Sequence, residues 1–92
     1  MTMDDFKNFL IRQGYSEFTP SGHPSTVYDY PKRVQTICDR EHIPSLDELK
    51  NRIVEIENRY SEDGAEAEFG ARSHKAYINA IHRFRELCEE MG

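Results

Sequence analysis

Apolar residues recur along this chain at helical spacing, and no stretch alternates as a half-buried strand would. Phe6, Phe9 and Leu10 fall at i, i+3 and i+4, with Gln13 one turn on, and predict a first helix from about Met3 to Gln13. Thr2 is placed to cap it with Asp5 three residues later, a shortened capping box, and Gly14 supplies a left-handed stop. The stretch Thr19-Pro20-Ser21-Gly22-His23-Pro24 reads as a loop by its turn chemistry. A second helix opens near Ser25, which can cap it, and Val27, Tyr30, Val34, Ile37, Cys38 and Glu41 carry the period to His42. Pro31 interrupts that ladder. Either the helix is kinked there, as the unbroken apolar spacing favours, or the regular helix starts at Asp29 after a lead-in turn over 25–28.

Ser45-Leu46-Asp47-Glu48 is a full capping box in sequence and opens a third helix whose buried stripe is Leu46, Leu49, Ile53, Ile56 and Tyr60. The charged residues between these positions are expected to face water. Residues 61–72 form a connection with room for one helical turn at Ala65–Glu68, and Phe69 is expected to plug it to the core. A fourth helix runs from Ser73, as its cap, to about Met91, with Tyr77, Ala80, Ile81, Phe84, Leu87, Cys88 and Met91 along its apolar face. These elements define one compact all-α domain over residues 1–92, of four helices or five with the short turn.

Ninety-two residues are enough for one core and no more. Hydrophobic residues at 37% and ten aromatics exclude a disordered tail. No apolar run approaches a membrane span, and Met1 leads straight to Asp4 and Asp5 rather than to a signal peptide, so no membrane is expected. Two cysteines are too few for a disulfide scaffold, which points to a cytoplasmic protein with free thiols. The net charge of −5 hides a segregation. Residues 41–68 hold nine acids against Lys50, Arg52 and Arg59, a net of −6, whereas residues 69–85 hold Arg72, Lys75, Arg83 and Arg85 with no acid, a net of +4. A partner would sense these local fields rather than the average.

Catalysis finds little support. No nucleophile signature is present, and Cys38 and Cys88 both lie on core stripes, where thiols act as small hydrophobes. Cys38 and His42 could form an i, i+4 ligand pair, but no second pair accompanies them, so no metal and no cofactor are expected. His23 and His42 read as loop and helix-end residues, while His74 and His82 stand among cations. The candidate binding residues come from two helix starts. Thr26, Lys32 and Arg33 follow the Ser25 cap, and Arg72, Ser73, His74, Lys75, Asn79, His82 and Arg83 open the fourth helix. Each start combines a hydroxyl, free backbone N–H groups and cations within two turns, which suits phosphate. Asn79 and Arg83 are also residue types that pair with base edges in a major groove.

At these segments the chain resembles the N-terminal core-binding domain of phage integrases and other tyrosine recombinases. The resemblance is carried by Ser25-Thr26 with the helix through Val34, Ile37 and Cys38, and by Gly70-Ala71-Arg72-Ser73 leading into Ala76-Tyr77-Ile78-Asn79-Ala80-Ile81-His82-Arg83-Phe84. It implies the integrase SAM-like fold (in the sterile-alpha-motif sense), an orthogonal helical bundle that clamps double-stranded DNA during recombination. By position it would offer Thr26, Lys32 and Arg33 from helix two, and Ser73, His74, Lys75, Asn79 and Arg83 from helix four. Two functions follow as expectations. One is a non-catalytic DNA-binding module. The other is a small acidic interaction module or inhibitor of a phage or mobile element, of anti-CRISPR or anti-restriction type, whose 41–68 segment meets a cationic surface on a nucleic-acid-handling protein.

Overall fold

A computed structural model describes residues 1–16 and 26–92, and among these the elements are all helical. They are α1 (Met3–Arg12), α2 (Thr26–Arg40), α3 (Leu46–Asn51), α4 (Ile53–Tyr60), α5 (Ala67–Gly70) and α6 (Arg72–Met91). The Ser25 cap and the loop at 19–24 lie outside the described residues. No helix among them is long and apolar enough to cross a membrane.

The caps reverse the ranking read from sequence. Thr2 forms the complete capping box: its hydroxyl accepts from the Asp5 N–H at 3.3 Å, and the Asp5 carboxylate accepts from the Thr2 N–H at 2.8 Å. Ser45 makes only half of one, accepting from the Glu48 N–H at 3.2 Å. Thr2→Ala and Ser45→Ala each remove one hydroxyl acceptor and keep the backbone N–H, so each is expected to cost about 1 kcal/mol, whereas the reciprocal bond at Thr2 is removed by Asp5→Ala, expected to cost about 0.5–1 kcal/mol, all read as urea-denaturation midpoints. No cost for Asp5→Ala would mean that the reciprocal bond contributes nothing.

Two helices end in the same motif. At α1, Gly14 is left-handed (φ 100°), its N–H reaches the Ile11 carbonyl at 3.0 Å, and the Tyr15 N–H reaches that of Leu10 at 3.1 Å. At α2, His42 takes the left-handed position (φ 57°), with His42 N–H to the Asp39 carbonyl at 3.4 Å and Ile43 N–H to that of Cys38 at 2.8 Å. The buried Ile43 that follows supplies the apolar contact that holds this end. The Cys38/His42 ligand pair is thereby split: the thiol is buried and the imidazole, beyond the helix end, is exposed.

Pro31 lies inside α2, which continues from Thr26 through it, so the helix starts before Asp29 and there is no lead-in turn over 26–28. The third predicted helix divides at Arg52 (φ −110°, ψ 15°) into α3 and α4, although backbone bonds from Arg52 N–H to the Glu48 carbonyl and from Ile56 N–H to the Arg52 carbonyl bridge the joint. The helical turn in the connection falls at Ala67–Gly70, two residues beyond its expected place. Gly70 sets that register, since a Cβ there would lie 2.1 Å from the Tyr60 carbonyl oxygen.

A single hydrophobic cluster unites the bundle. α6 is its axis, packing against α2 most extensively and also against α4, α5 and α1. Phe6 and Phe84 meet edge to face at its centre, with ring centroids 5.5 Å apart. Phe69 plugs α5 against the core between Tyr60 and Tyr77, at 6.1 and 4.4 Å. On α6 the buried face takes Ile78 in place of Tyr77, which is half-buried, and Met91 is exposed.

Candidate interaction site

The expected phosphate site required the N-terminal turns of the second and fourth predicted helices to converge. They do not. Arg40 lies over the Phe69 ring at 3.8 Å, Arg33 lies over the Tyr77 ring at 4.7 Å, and Tyr30 sits beside Asn79 and Arg83. Residue numbers rise along α2 as they fall along α6, so the two helices run antiparallel. Thr26 lies roughly 10 Å along α2 beyond the level of Arg33 and Tyr77, and Arg72–Lys75 lies on the other side of that level.

The start of α6 is also not a helix N-terminus of the expected kind. Ser73, His74 and Lys75 all adopt left-handed dihedrals (φ 54°, 58° and 65°), and no side chain caps the element. The right-handed body covers 76–91. A run of three left-handed non-glycine residues costs on the order of 1–2 kcal/mol each, because Cβ crowds the following carbonyl. Glycine lacks that Cβ, so His74→Gly is expected to stabilise the fold by about 1 kcal/mol. An ordinary right-handed start would give the opposite sign, since glycine inside a helix destabilises it by about the same amount. The shift of the denaturation midpoint decides between the two.

The cations expected to hold phosphate are mostly engaged within the protein. Arg33 pairs with Asp29 at 3.3 Å, Arg83 with Glu86 at 2.8 Å, and Arg72 lies 5.0 Å from the Phe69 ring. His82 places Nδ1 2.7 Å from Glu57, whose other oxygen takes Arg85. Glu57 is 8% exposed, so it is a buried carboxylate on the core side of α4, where outward-facing acids were expected. Its hydrogen bond holds the Arg85 guanidinium above its ordinary pKa. Elsewhere, Arg12 pairs with Glu90, Arg40 with Glu66, Arg52 with Glu55 and Arg59 with Glu41. Among the described residues every arginine except Arg72 carries an ion pair. Lys32 and Lys75 are exposed without one, but on α2 and at the start of α6 they belong to different elements.

No family model, curated protein or solved structure matches this chain.

The carboxylates end differently. Glu62, Asp63 and Glu68 are exposed and carry no salt bridge or side-chain hydrogen bond among the described residues. Glu62 and Asp63 lie in the turn that follows α4, and Glu68 lies in α5. Beside them opens a cavity of about 650 Å³, walled by Asn58, Tyr60, Glu62 and Asp63 on one side and by Lys75, Asn79 and His82 of α6 on the other. The site is thus a mixed cleft with an acidic lip, and Lys75, Asn79 and His82 line it. No group of three His, Cys, Asp or Glu side chains converges to hold a metal ion among the described residues. Sequence reasoning missed Glu57 although the signal was present, because it stands four residues after Ile53 and three before Tyr60, on the buried stripe itself.

Proposed function

We propose that this chain is a non-catalytic protein-interaction module that presents the acidic end of its 41–68 segment to a cationic surface of a partner protein. The observation that supports this reading is the unequal fate of the two charges. Internal carboxylates take up nearly all the arginines, while among the described residues Glu62, Asp63 and Glu68 are exposed and carry no ion pair within one short stretch. A protein of net charge −5 whose arginines are mostly paired with its own carboxylates repels a polyanion and attracts a cationic patch. The partner chemistry that fits is a surface rich in lysine and arginine, such as the nucleic-acid channel of a DNA- or RNA-handling protein, which carboxylates can occupy where phosphates would sit.

The test is a pair of NMR titrations of the isotope-labelled full chain, one with a lysine- and arginine-rich peptide and one with an unrelated DNA duplex. The peptide is expected to move the amide signals of residues 61–68, with an affinity that falls as salt rises and that drops at least tenfold in a Glu62→Lys/Asp63→Lys/Glu68→Lys variant. The duplex is expected to move nothing at low salt. Duplex-induced shifts at Lys32, Arg33 and Lys75, lost in Lys32→Glu/Lys75→Glu, would overturn the reading in favour of DNA binding.

A further inference from the structure

We infer that the cavity between the α4–α5 turn and α6 is the anchoring pocket of that interaction and takes the side chain of a partner arginine. This rests on the acidic-module reading and adds the group recognised. The cleft is open to solvent, and at about 650 Å³ it has room for such a side chain between walls contributed by α4, the turn, α5 and α6.

Its polar lining is rich in acceptors. Glu62 and Asp63 offer carboxylates that carry no salt bridge or side-chain hydrogen bond among the described residues, and Asn58 offers an amide oxygen, whereas the Asn79 side chain is engaged with Tyr30. His82 also lines the α6 wall, with its Nδ1 held 2.7 Å from Glu57. A planar guanidinium, with five N–H donors and no acceptor, is the common protein group that matches such a lining. Apolar surface from Ala71 and Ile78 covers its methylene stem. Arginine is also among the residues most often found as interface anchors in enclosed pockets. Lys75, on the α6 wall, opposes a cation, so its removal is expected to help binding.

The experiment titrates the full labelled chain with an acetylated, amidated glycine–serine peptide carrying one central arginine. Two otherwise identical peptides carry citrulline or lysine there. The arginine peptide is expected to shift the signals of Ala71, Ile78 and Asn79, and the citrulline peptide, which keeps the shape and loses the charge, to bind at least tenfold more weakly. The lysine peptide is expected to bind several-fold more weakly than arginine. Glu62→Gln/Asp63→Asn should weaken arginine binding at least tenfold, and Lys75→Met should strengthen it severalfold. Equal binding of the three peptides, or shifts that avoid the cavity, would overturn the pocket. If the polybasic peptide still binds residues 61–68 in that case, the acidic-surface reading stands without it. If neither peptide binds, both fall.

Discussion

Replacing Phe84 by alanine is expected to lower the stability of the folded chain by about 4 kcal/mol, the largest single-site effect in this protein. Phe84 is fully buried at the middle of α6, and its ring meets Phe6 of α1 edge to face. α6 is the helix on which α1, α2, α4 and α5 all pack, so the void would open where the bundle has least freedom to collapse. The lost transfer energy, the residual cavity and the aromatic pair all act in one direction. A chain of this length has a total stability on the order of 5–14 kcal/mol, so the variant would lose a large part of it. Urea denaturation followed by circular dichroism measures the change. Phe84→Leu keeps most of the volume and is expected to cost about 1–1.5 kcal/mol. A Phe84→Ala cost below 1 kcal/mol would mean that the ring does not hold α1 against α6.

Local pattern was sufficient where local chemistry decides. The Phe6–Phe9–Leu10 stripe, the Thr2 cap and the Gly14 stop place α1 within a residue, because period, cap and a permissive glycine all act inside one short segment. Phe69 plugs the connection as expected, because an aromatic in a polar stretch has little other use. The all-α class follows from the same periodicity. What the pattern could not contain was direction and occupancy. A basic segment at 69–85 reads as a free cationic face only until Glu57, Glu86 and Glu89 are placed against it. Likewise, two helix starts rich in hydroxyls and cations make one site only if the helices run alongside each other in the same sense. The contacts of Arg33 with Tyr77 and Arg40 with Phe69 set α2 and α6 antiparallel, and that is a tertiary fact. The left-handed turn at Ser73–Lys75 gave no warning either, because none of its residues is glycine or asparagine. At His42 the same conformation is anchored by the burial of the following Ile43, again a contact outside the local pattern.

The two thiols give the protein a stability that is expected to collapse in alkali. Cys38 and Cys88 are 2% and 6% exposed, and burial raises each from an ordinary pKa of 9.0 to about 11. Below pH 9 both the folded and the unfolded chain keep these protons, and the thiols leave the folding equilibrium unchanged. Above it the unfolded chain ionises first, so the folded state binds more protons and stability falls with rising pH until the folded thiols titrate near 11. The full loss for the pair is on the order of 5 kcal/mol, shared equally between the two thiols. Tyr30 and Tyr60, also raised above 10.0 chiefly by desolvation, act with the same sign at the upper end of that window. Urea-denaturation free energies measured across this range are therefore expected to be flat up to pH 9 and to decline steeply beyond it, with a Cys38→Ala/Cys88→Ala variant losing most of the early slope. A thiol reagent provides the second reading: if burial holds the protons, labelling of the native protein at neutral pH proceeds only as fast as the chain opens. Rapid labelling of either cysteine in the folded state, or thiolate absorbance rising near pH 9 without unfolding, would show that the thiol is not shielded by the packing of the hydrophobic core.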